Sequence, residues 1–458
     1  MKARFLHVAD CHLGYKQYNL FERYNDFARA FIHIMQKAVE ERVDFVLLAG
    51  DLFQKRSIDA LTLNQAMTGL ERLQQANIPC LAIEGNHELA YYDDQVSWLE
   101  FLSHRKLLTL LNPQFVDGVP QLTPYNGRQG AYIDVLPGLR VFGLKYSGAS
   151  TARAITAYAE ALANNAQSDP TVAYSILMAH TGVEGMMSSE VGGLSHRVLA
   201  QVRPHVNYLA LGHIHQPFVV DDWVYNPGSP ETCSMMEASW PERGYFLVEV
   251  DTDAPAAAPD EADAKPVLHR ARLCTNPRRT FLRYSIKTDL YDSPEALYQY
   301  CGDFLMRKAR DDGRAARDEP VIELQITGVL PFERSALDAN RLEELVRQAF
   351  QPLYVHIRNL SRPAEFAVEY DEGVSRAELE QQVLAELLSR DVRFRARSES
   401  WTQLALSLKK MVLGDASVES LLQELDAQVT SIDALGDADA PRDADAPGDL
   451  AAQAEGAE

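Results

Sequence analysis

"IPCLAIEGNHE", Ile78 to Glu88, sets a short apolar run against a cluster of polar side chains. Ile78 to Ile83 reads as a strand buried on both faces, since a continuous apolar run of this length suits the interior of a sheet. It runs straight into Glu84-Gly85-Asn86-His87-Glu88. A lone Gly-Asn-His carries little weight, because Asn and Gly suit turns whatever surrounds them. The weight comes from repetition.

Other apolar runs end the same way. Phe5 to Ala9 leads into Asp10-Cys11-His12, and Phe45 to Ala49 into Gly50-Asp51. Tyr174 to Ala179 leads into His180, and Tyr208 to Leu211 into Gly212-His213-Ile214-His215. Amphipathic periods lie between the early strands. One has the face Phe27, Ala30, Phe31, Ile34, Ala38 and Val39, and the next has Leu63, Ala66, Met67, Leu70 and Leu73. Alternating strand and helix predicts an α/β domain with much of its sheet parallel. Ligands of such sheets bind beyond the carboxyl ends of the strands. Five strand ends therefore bring two Asp, one Asn and four to five His to one edge. In extended chain, D-x-H and H-x-H would point both ligands one way and Cys11 and Ile214 the other.

Carboxylate, amide oxygen and imidazole together suit hard or borderline divalent ions. Seven such groups are too many for one ion and fit two if a carboxylate bridges. Paired metals roughly 3.5–4 Å apart serve in-line displacement at phosphorus. A single His is more often a satisfied structural residue than a ligand, and His33, His104, His196, His205, His269 and His356 are read that way.

The totals bound the rest. A chain of 458 residues suggests two or three domains. The formal charge is −21; the stretch from Asp433 to Glu458, with eight acids and one Arg, carries −7 of it, leaving −14. A body this acidic argues against tight, unassisted nucleic-acid binding. It does not exclude a phosphodiester substrate, because bound metals reverse the local sign. The cysteines Cys11, Cys80, Cys233, Cys274 and Cys301 are scattered, which fits reduced thiols rather than a disulfide framework. No signal pattern or membrane-length apolar run is read, so a soluble cytoplasmic protein is expected.

Four segments are predicted. Residues 1–275 form the α/β domain, ending in a strand near Phe246 to Val250. Thr252 to Pro266 is a loop or insertion. Residues 276–365 form a smaller α+β unit of βαβαβ order. Residues 366–430 are helical, with "RDVRFRARSE" between two helices, and 431–458 form an acidic, disordered tail.

"DCH", "GD", "GNHE", "AH" and "GHIH", in that order, resemble the motifs of the calcineurin-like metallophosphoesterase superfamily. "NPGS", Asn226 to Ser229, resembles the turn after its last motif. Within the superfamily the chain resembles the SbcD-type DNA repair exonucleases, nuclease subunits of the SbcCD complex. "FLHVADCHLGY", "VDFVLLAGDLF" and "IPCLAIEGNHE" carry that likeness.

The resemblance implies a metallophosphoesterase β-sandwich flanked by helices, a capping domain, and a helical segment that docks on an SMC-like ATPase of the SbcC type. It implies two divalent ions, Mn²⁺ above others. Asp10, His12, Asp51 and His215 would hold one; Asp51, Asn86, His180 and His213 would hold the other. His87 would be catalytic, stabilising the transition state or protonating the leaving oxygen. Glu88 would stand behind the ligands, orienting His87 or a ligand, or else capping the turn.

The implied activity is DNA exonuclease cleavage, with endonuclease cleavage as a further possibility, in a homodimer that repairs DNA. The rival readings are a phosphoesterase for small nucleotide diesters and a non-catalytic binding subunit of the ATPase complex. Gln54 departs from the family, some of whose nucleases place His there. Lys55, Arg56, Arg278, Arg279 and Arg283 would contact phosphates, and Arg390, Arg393, Arg395 and Arg397 would contact DNA or an acidic partner, unless they are solvated surface. Tyr91, Tyr92 and Trp98 would stack on bases or pack in the core. "GMMSSEVGG", Gly185 to Gly193, would be a loop over the metals or only a loop.

Overall fold

The computed structural model describes residues 1–89, 95–165, 171–186, 193–253, 267–313, 317–363, 376–414 and 416–434. It divides into two compact units, Met1–Ser361 and Arg362–Glu458.

The first unit begins with β1 (Lys2–Val8), α1 (Phe21–Glu40), β2 (Phe45–Leu48), α2 (Ala60–Gln75), β3 (Cys80–Ala82), α3 (Trp98–His104) and β4 (Thr109–Leu110). A second run follows: β5 (Tyr132–Leu136), β6 (Leu139–Leu144), α4 (Thr151–Asn165), β7 (Tyr174–His180), α5 (His196–Val202), β8 (Tyr208–Gly212), β9 (Phe218–Val220) and β10 (Val224–Asn226). The chain then returns through β11 (Gly244–Asp251) and β12 (His269–Thr275). Two six-stranded sheets result, ordered β12-β11-β1-β2-β3-β4 and β9-β10-β8-β7-β6-β5. Strands β1 to β4 run parallel, as do β6, β7, β8 and β10. The site strands therefore end along the same edge.

The continuous apolar strands are explained by covering on both faces. Phe5, Phe45, Leu47, Leu81, Ile176, Met178, Tyr208 and Val248 fill the space between the sheets. Leu6, Val8, Val46 and Leu48 face α1 and α2, which present Phe31, Ile34, Met35, Ala66, Leu70 and Leu73. On the outer face of the second sheet, Leu177, Leu209 and Leu211 pack with Ile155, Tyr158 and Leu199 of α4 and α5.

Two histidines lie in the layer between the sheets. His7 Nε2 donates to the Leu211 carbonyl at 3.0 Å, and Nδ1 accepts from the Tyr208 hydroxyl at 3.0 Å. His269 joins Tyr174 at 2.7 Å and Tyr225 at 3.0 Å, a satisfied core histidine as expected. Burial pushes both imidazoles down, His7 to about 3 and His269 to about 4. The unfolded chain, with histidines near 6.5, therefore binds protons first as the pH falls. This part of the stability is complete above about 6.5 and is lost toward pH 3–4. At pH 5 each histidine costs about 2 kcal/mol. Urea denaturation at pH 7 and pH 5 measures this, and His269→Gln is expected to remove its share of the difference.

The remainder of the unit is β13 (Phe281–Lys287), α6 (Pro294–Asp311), β14 (Val321–Thr327), α7 (Ala339–Ala349) and β15 (Tyr354–Asn359). The order matches the expected βαβαβ, and the three strands are all parallel. Its own core holds Tyr284, Ile286, Leu297, Leu305, Leu324, Leu342 and Val346. It is tied to the sandwich by Arg279, whose guanidinium grips the Asp26 carboxylate at 2.6 and 3.2 Å. Asp26 also pairs with fully buried Arg23 at 2.6 Å, and Arg23 reaches Glu231 at 3.1 Å. Tyr18 stacks on Tyr354 with ring centroids 4.2 Å apart.

The second unit contains α8 (Arg376–Arg390), α9 (Ser398–Leu413) and α10 (Val418–Ala434). Ser407 of α9 donates to Glu424 of α10 at 3.3 Å, and Lys409 pairs with Glu380 of α8. Helix α10 runs past residue 430, where the acidic tail was expected to begin; from 435 on, that tail lies outside the described residues. Most of the Thr252–Pro266 loop, Tyr91, Tyr92 and most of Gly185–Gly193 lie outside them too. Among the described residues no helix is long and apolar enough to cross a membrane.

Candidate metal centre

Backbone hydrogen bonds join four of the strand-end loops in pairs. Asp10 N–H donates to the Gly50 carbonyl at 3.1 Å, His12 N–H to Asp51 O at 3.0 Å, and Thr181 N–H to Gly212 O at 3.1 Å. The glycines of the motifs follow from this crowding. A Cβ on Gly50, whose φ is +89°, would sit 2.3 Å from His180 Nδ1. One on Gly85 would sit 2.1 Å from Asp51 Oδ1.

The backbone here is not extended. Asp10, His12, Asp51 and His213 have φ of 54°, 49°, 52° and 95°, left-handed values that side chains other than glycine adopt reluctantly. This corrects the expectation that D-x-H and H-x-H reach the site as straight strand. The strands stop first, and strained turns aim the ligand side chains inward; such strain collects at functional sites.

One group of atoms surrounds Asn86 Oδ1, which lies 3.2 Å from His180 Nε2 and 3.0 Å from His213 Nδ1. Asp51 Oδ2 lies 3.2 Å from the same His180 nitrogen. Separations of about 3 Å are those between neighbouring ligands of an octahedral ion with bonds of about 2.1 Å. A second group pairs His12 Nε2 with His215 Nε2 at 3.0 Å. Asp10, buried beside both groups, accepts the His213 N–H on both carboxylate oxygens at 3.0 Å.

Partners behind the ligands fix the tautomers. His180 Nδ1–H donates to the Ala49 carbonyl at 2.8 Å, turning the Nε2 lone pair inward. His215 Nδ1–H donates to Glu237 at 2.9 Å, with the same result. Glu237 is held in turn by the buried Arg243 guanidinium and by Cys233 N–H at 2.9 Å. Neither Glu237 nor Arg243 was picked out from the sequence. The available signal was an acid inside the apolar stretch "CSMMEASW", since a buried carboxylate needs a partner.

Glu88 is buried and accepts from the backbone N–H groups of Asp51 (3.1 Å), Phe53 (3.0 Å) and Gly85 (3.0 Å). It joins two loops rather than touching the His87 ring. The His87 ring donates from Nδ1 to the Gln54 carbonyl at 2.7 Å and leaves Nε2 facing the site, with the side chain about a third exposed. Tyr146, also missed in the sequence, lays its ring 5.6 Å from that of His213.

The electrostatics suit a cation. Burial pushes the Asp10 carboxyl up to about 6. Burial likewise opposes ionised Asp51, yet the His180, His12 and His87 imidazoles around it hold its carboxyl well below the usual range. Burial would push His180 down, but the Asp51 carboxylate reverses that and holds it at about 9. Burial and neighbouring imidazoles drive His12 well down and His213 to about 4. Buried His12 Nδ1 has no hydrogen-bond partner among the described residues, while its Nε2 faces another imidazole nitrogen. Lone pairs turned toward each other are poorly satisfied by protons and well satisfied by divalent ions. The residues therefore fit a metal pair.

The structure places the remaining candidates as follows. Arg278, Arg279 and Arg283 are engaged inside the protein, with the Trp240 carbonyl, Asp26 and Glu323. Arg393 pairs with Asp391 at 2.8 Å, and Lys55 is exposed. Trp98 packs edge-on to Phe101, 5.9 Å between centroids, against the core.

Carboxylates, an amide and imidazoles converge at the strand ends of a helix-flanked β-sandwich, a donor set that suits divalent ions. The chain matches the family model described as calcineurin-like phosphoesterase over residues 3–217. It is similar to the DNA double-strand break repair protein Mre11 of Archaeoglobus fulgidus, at 31% identity over 245 residues, and the match spans about half of each chain, 52%. It is similar to the protein of that name from Saccharolobus solfataricus, at 24% identity over 92% of this chain and 98% of the relative. A dimetal phosphatase from Danio rerio aligns with 54% of this chain and 94% of its own, at 13% identity and a TM-score of 0.34.

Proposed function

We propose that this protein is a two-metal phosphodiesterase that cleaves DNA in double-strand break repair, working with an SMC-like ATPase. The observation that carries the chemistry is the convergence of inward-facing lone pairs around Asp51. In this reading Asp10, His12, Asp51 and His215 hold one ion, and Asp51, Asn86, His180 and His213 hold the other. Bound Mn²⁺ would supply Lewis acidity at the scissile phosphate and an activated water. The chain's own residues do the rest. Ala49 and Glu237 keep His180 and His215 in the ligating tautomer. Glu88 holds the two central loops in register. His87 Nε2, set by the Gln54 carbonyl, faces a bound phosphodiester and handles the proton or charge of the leaving oxygen.

DNA as substrate is supported by the relatives, both of which are named for double-strand break repair. The cap-like subdomain between Phe281 and Asn359, joined to the sandwich by Arg279 and Asp26, adds the extended surface a polymer needs and assists a homodimer. The test is Mn²⁺-dependent cleavage of end-labelled linear and hairpin DNA by the purified chain, with a generic diester as control. Diester hydrolysis with no DNA cleavage, alone or with the ATPase, would overturn the DNA reading.

The helical unit is read as the ATPase contact. Its support is the exposure of Val392, Leu413 and Val418, at 77%, 76% and 67%. Removing residues from Ser375 onward is expected to abolish ATPase binding in pull-down while diester hydrolysis stays within about twofold. Loss of hydrolysis as well would assign the segment to the catalytic fold.

A further inference from the structure

The two halves of the centre differ in one atom type. Around Asn86 the donors are oxygen and nitrogen only. Beside His12 and His215 lies Cys233, and its sulfur and the two imidazole nitrogens lie within 4.8 Å of one another. Of the three such clusters among the described residues, this alone contains sulfur.

The placement of Cys233 is built. Asn226 of the "NPGS" turn donates to the Ile214 carbonyl at 2.6 Å and to that of Gln216 at 2.9 Å, clamping the loop to both sides of His215. Ser229 N–H donates to the His215 carbonyl at 3.2 Å. Four residues on, the Cys233 backbone is pinned at both ends: its N–H donates to Glu237 at 2.9 Å, and its carbonyl accepts from Gln17 at 2.8 Å. Glu237 is also the residue that turns His215 Nε2 inward, so one carboxylate sets both the imidazole and the cysteine. The sulfur lies 3.7 Å from the Glu231 carbonyl and within hydrogen-bond reach of the His215 ring and of Ser229. Fully buried His12, with one ring nitrogen unpartnered, completes the triangle.

We propose that Cys233 is a third donor beside His12 and His215, making this half of the centre a site for thiophilic divalent ions such as Zn²⁺, Co²⁺ or Cd²⁺. The Asn86 half remains a nitrogen and oxygen site suited to Mn²⁺. The proposal rests on reading the strand ends as a metal centre. Its chemistry is simple: one sulfur–metal bond forms, and the thiol proton leaves to solvent. Soft sulfur discriminates against Mn²⁺, which already binds such sites most weakly of the first-row divalent ions. The centre would thus be asymmetric, with the metal at one position chosen by a residue outside the strand-end motifs.

Cobalt absorption of the full chain tests this. With Co²⁺ added in steps, the wild-type protein is expected to show a near-ultraviolet sulfur-to-cobalt charge-transfer band, and Cys233→Ser is expected to lack it while keeping visible bands from nitrogen and oxygen ligation. The variant should also need about tenfold more Cd²⁺ to displace bound Mn²⁺, the scale on which even outer partners of metal ligands act. Cadmium-113 resonance of the wild-type protein gives the same answer without a variant: one signal in the sulfur-ligated range and one outside it. Bound Co²⁺ with no charge-transfer band, a band that survives Cys233→Ser, or two cadmium signals both lacking sulfur would overturn the proposal. Manganese binding counted by electron paramagnetic resonance separates the premises: no bound Mn²⁺ sinks the metal-centre reading, whereas bound Mn²⁺ without sulfur ligation sinks the Cys233 assignment alone.

Discussion

Asp51→Asn is expected to cut hydrolysis of both DNA and a generic diester by at least about 10³-fold, because the site loses several kcal/mol of charge stabilisation at its centre. Asp51 occupies the middle of the arrangement. One carboxylate oxygen accepts the His87 N–H at 3.0 Å, and the other lies 3.2 Å from His180 Nε2. An asparagine of the same shape can keep the bond from His87 through its oxygen. Its NH₂ group must then point at His180 and donate to the lone pair that would otherwise hold a metal. The substitution removes a charge and also blocks a neighbouring ligand. Metal-free Asp51→Asn should lose some stability, because the carboxylate pairs with His180 in the metal-free protein, but its circular dichroism should stay native, while titration calorimetry shows fewer bound ions. Activity within about tenfold of wild type would remove Asp51 from the bridging position.

The sequence made the candidate ligands visible and hid how they are aimed. Asp10, His12, Asp51, Asn86, His87, His180, His213 and His215 were all legible, because buried parallel strands read as unbroken apolar runs and their polar ends stand out sharply. The same feature made an α/β domain of buried parallel strands legible, while the pairing of two sheets into a sandwich entered only with the family resemblance. Backbone handedness was not. Apolar patterning reports which residues are buried and is silent on the sign of φ, so the left-handed Asp10, His12 and His213 looked like continuing strand. Glu237 and Arg243 were hidden for another reason. Glu237 reaches His215 from 22 positions along the chain and Arg243 holds Glu237 from six further on, through a turn whose path depends on the folded sandwich. Arg279 shows the opposite error. It looked like a surface cation ready for phosphate, yet two carboxylates, Asp26 and Glu319, hold it at the joint of the cap-like subdomain.

Replacing His87 by alanine is expected to lower DNA cleavage by about 10²–10⁴-fold, the span of a lost general acid or base. Metal binding should persist, which separates His87 from the ligands. Its ring is anchored at Nδ1 by the Gln54 carbonyl, and Gln54 is itself anchored by its N–H to Leu13 O at 2.9 Å. The outward nitrogen is therefore held in place, 3.9 Å from Asp51 Oδ2, where a scissile phosphate bound beside Asp51 would meet it. Two roles fit that position, and they differ in what they demand of the leaving group. A proton donor matters most when the departing oxygen is a poor leaving group, as a deoxyribose oxygen is, and little when it leaves as a stabilised phenolate. A stabiliser of the non-bridging oxygens matters about equally for both. Donation to the leaving oxygen predicts a loss on DNA at least about tenfold greater than on an aryl diester, because the aryl substrate needs no proton. Equal losses would place the His87 hydrogen bond on the non-bridging oxygens. Loss of a bound metal in His87→Ala would contradict both roles and return His87 to the ligand set, beside His12 and Asp51.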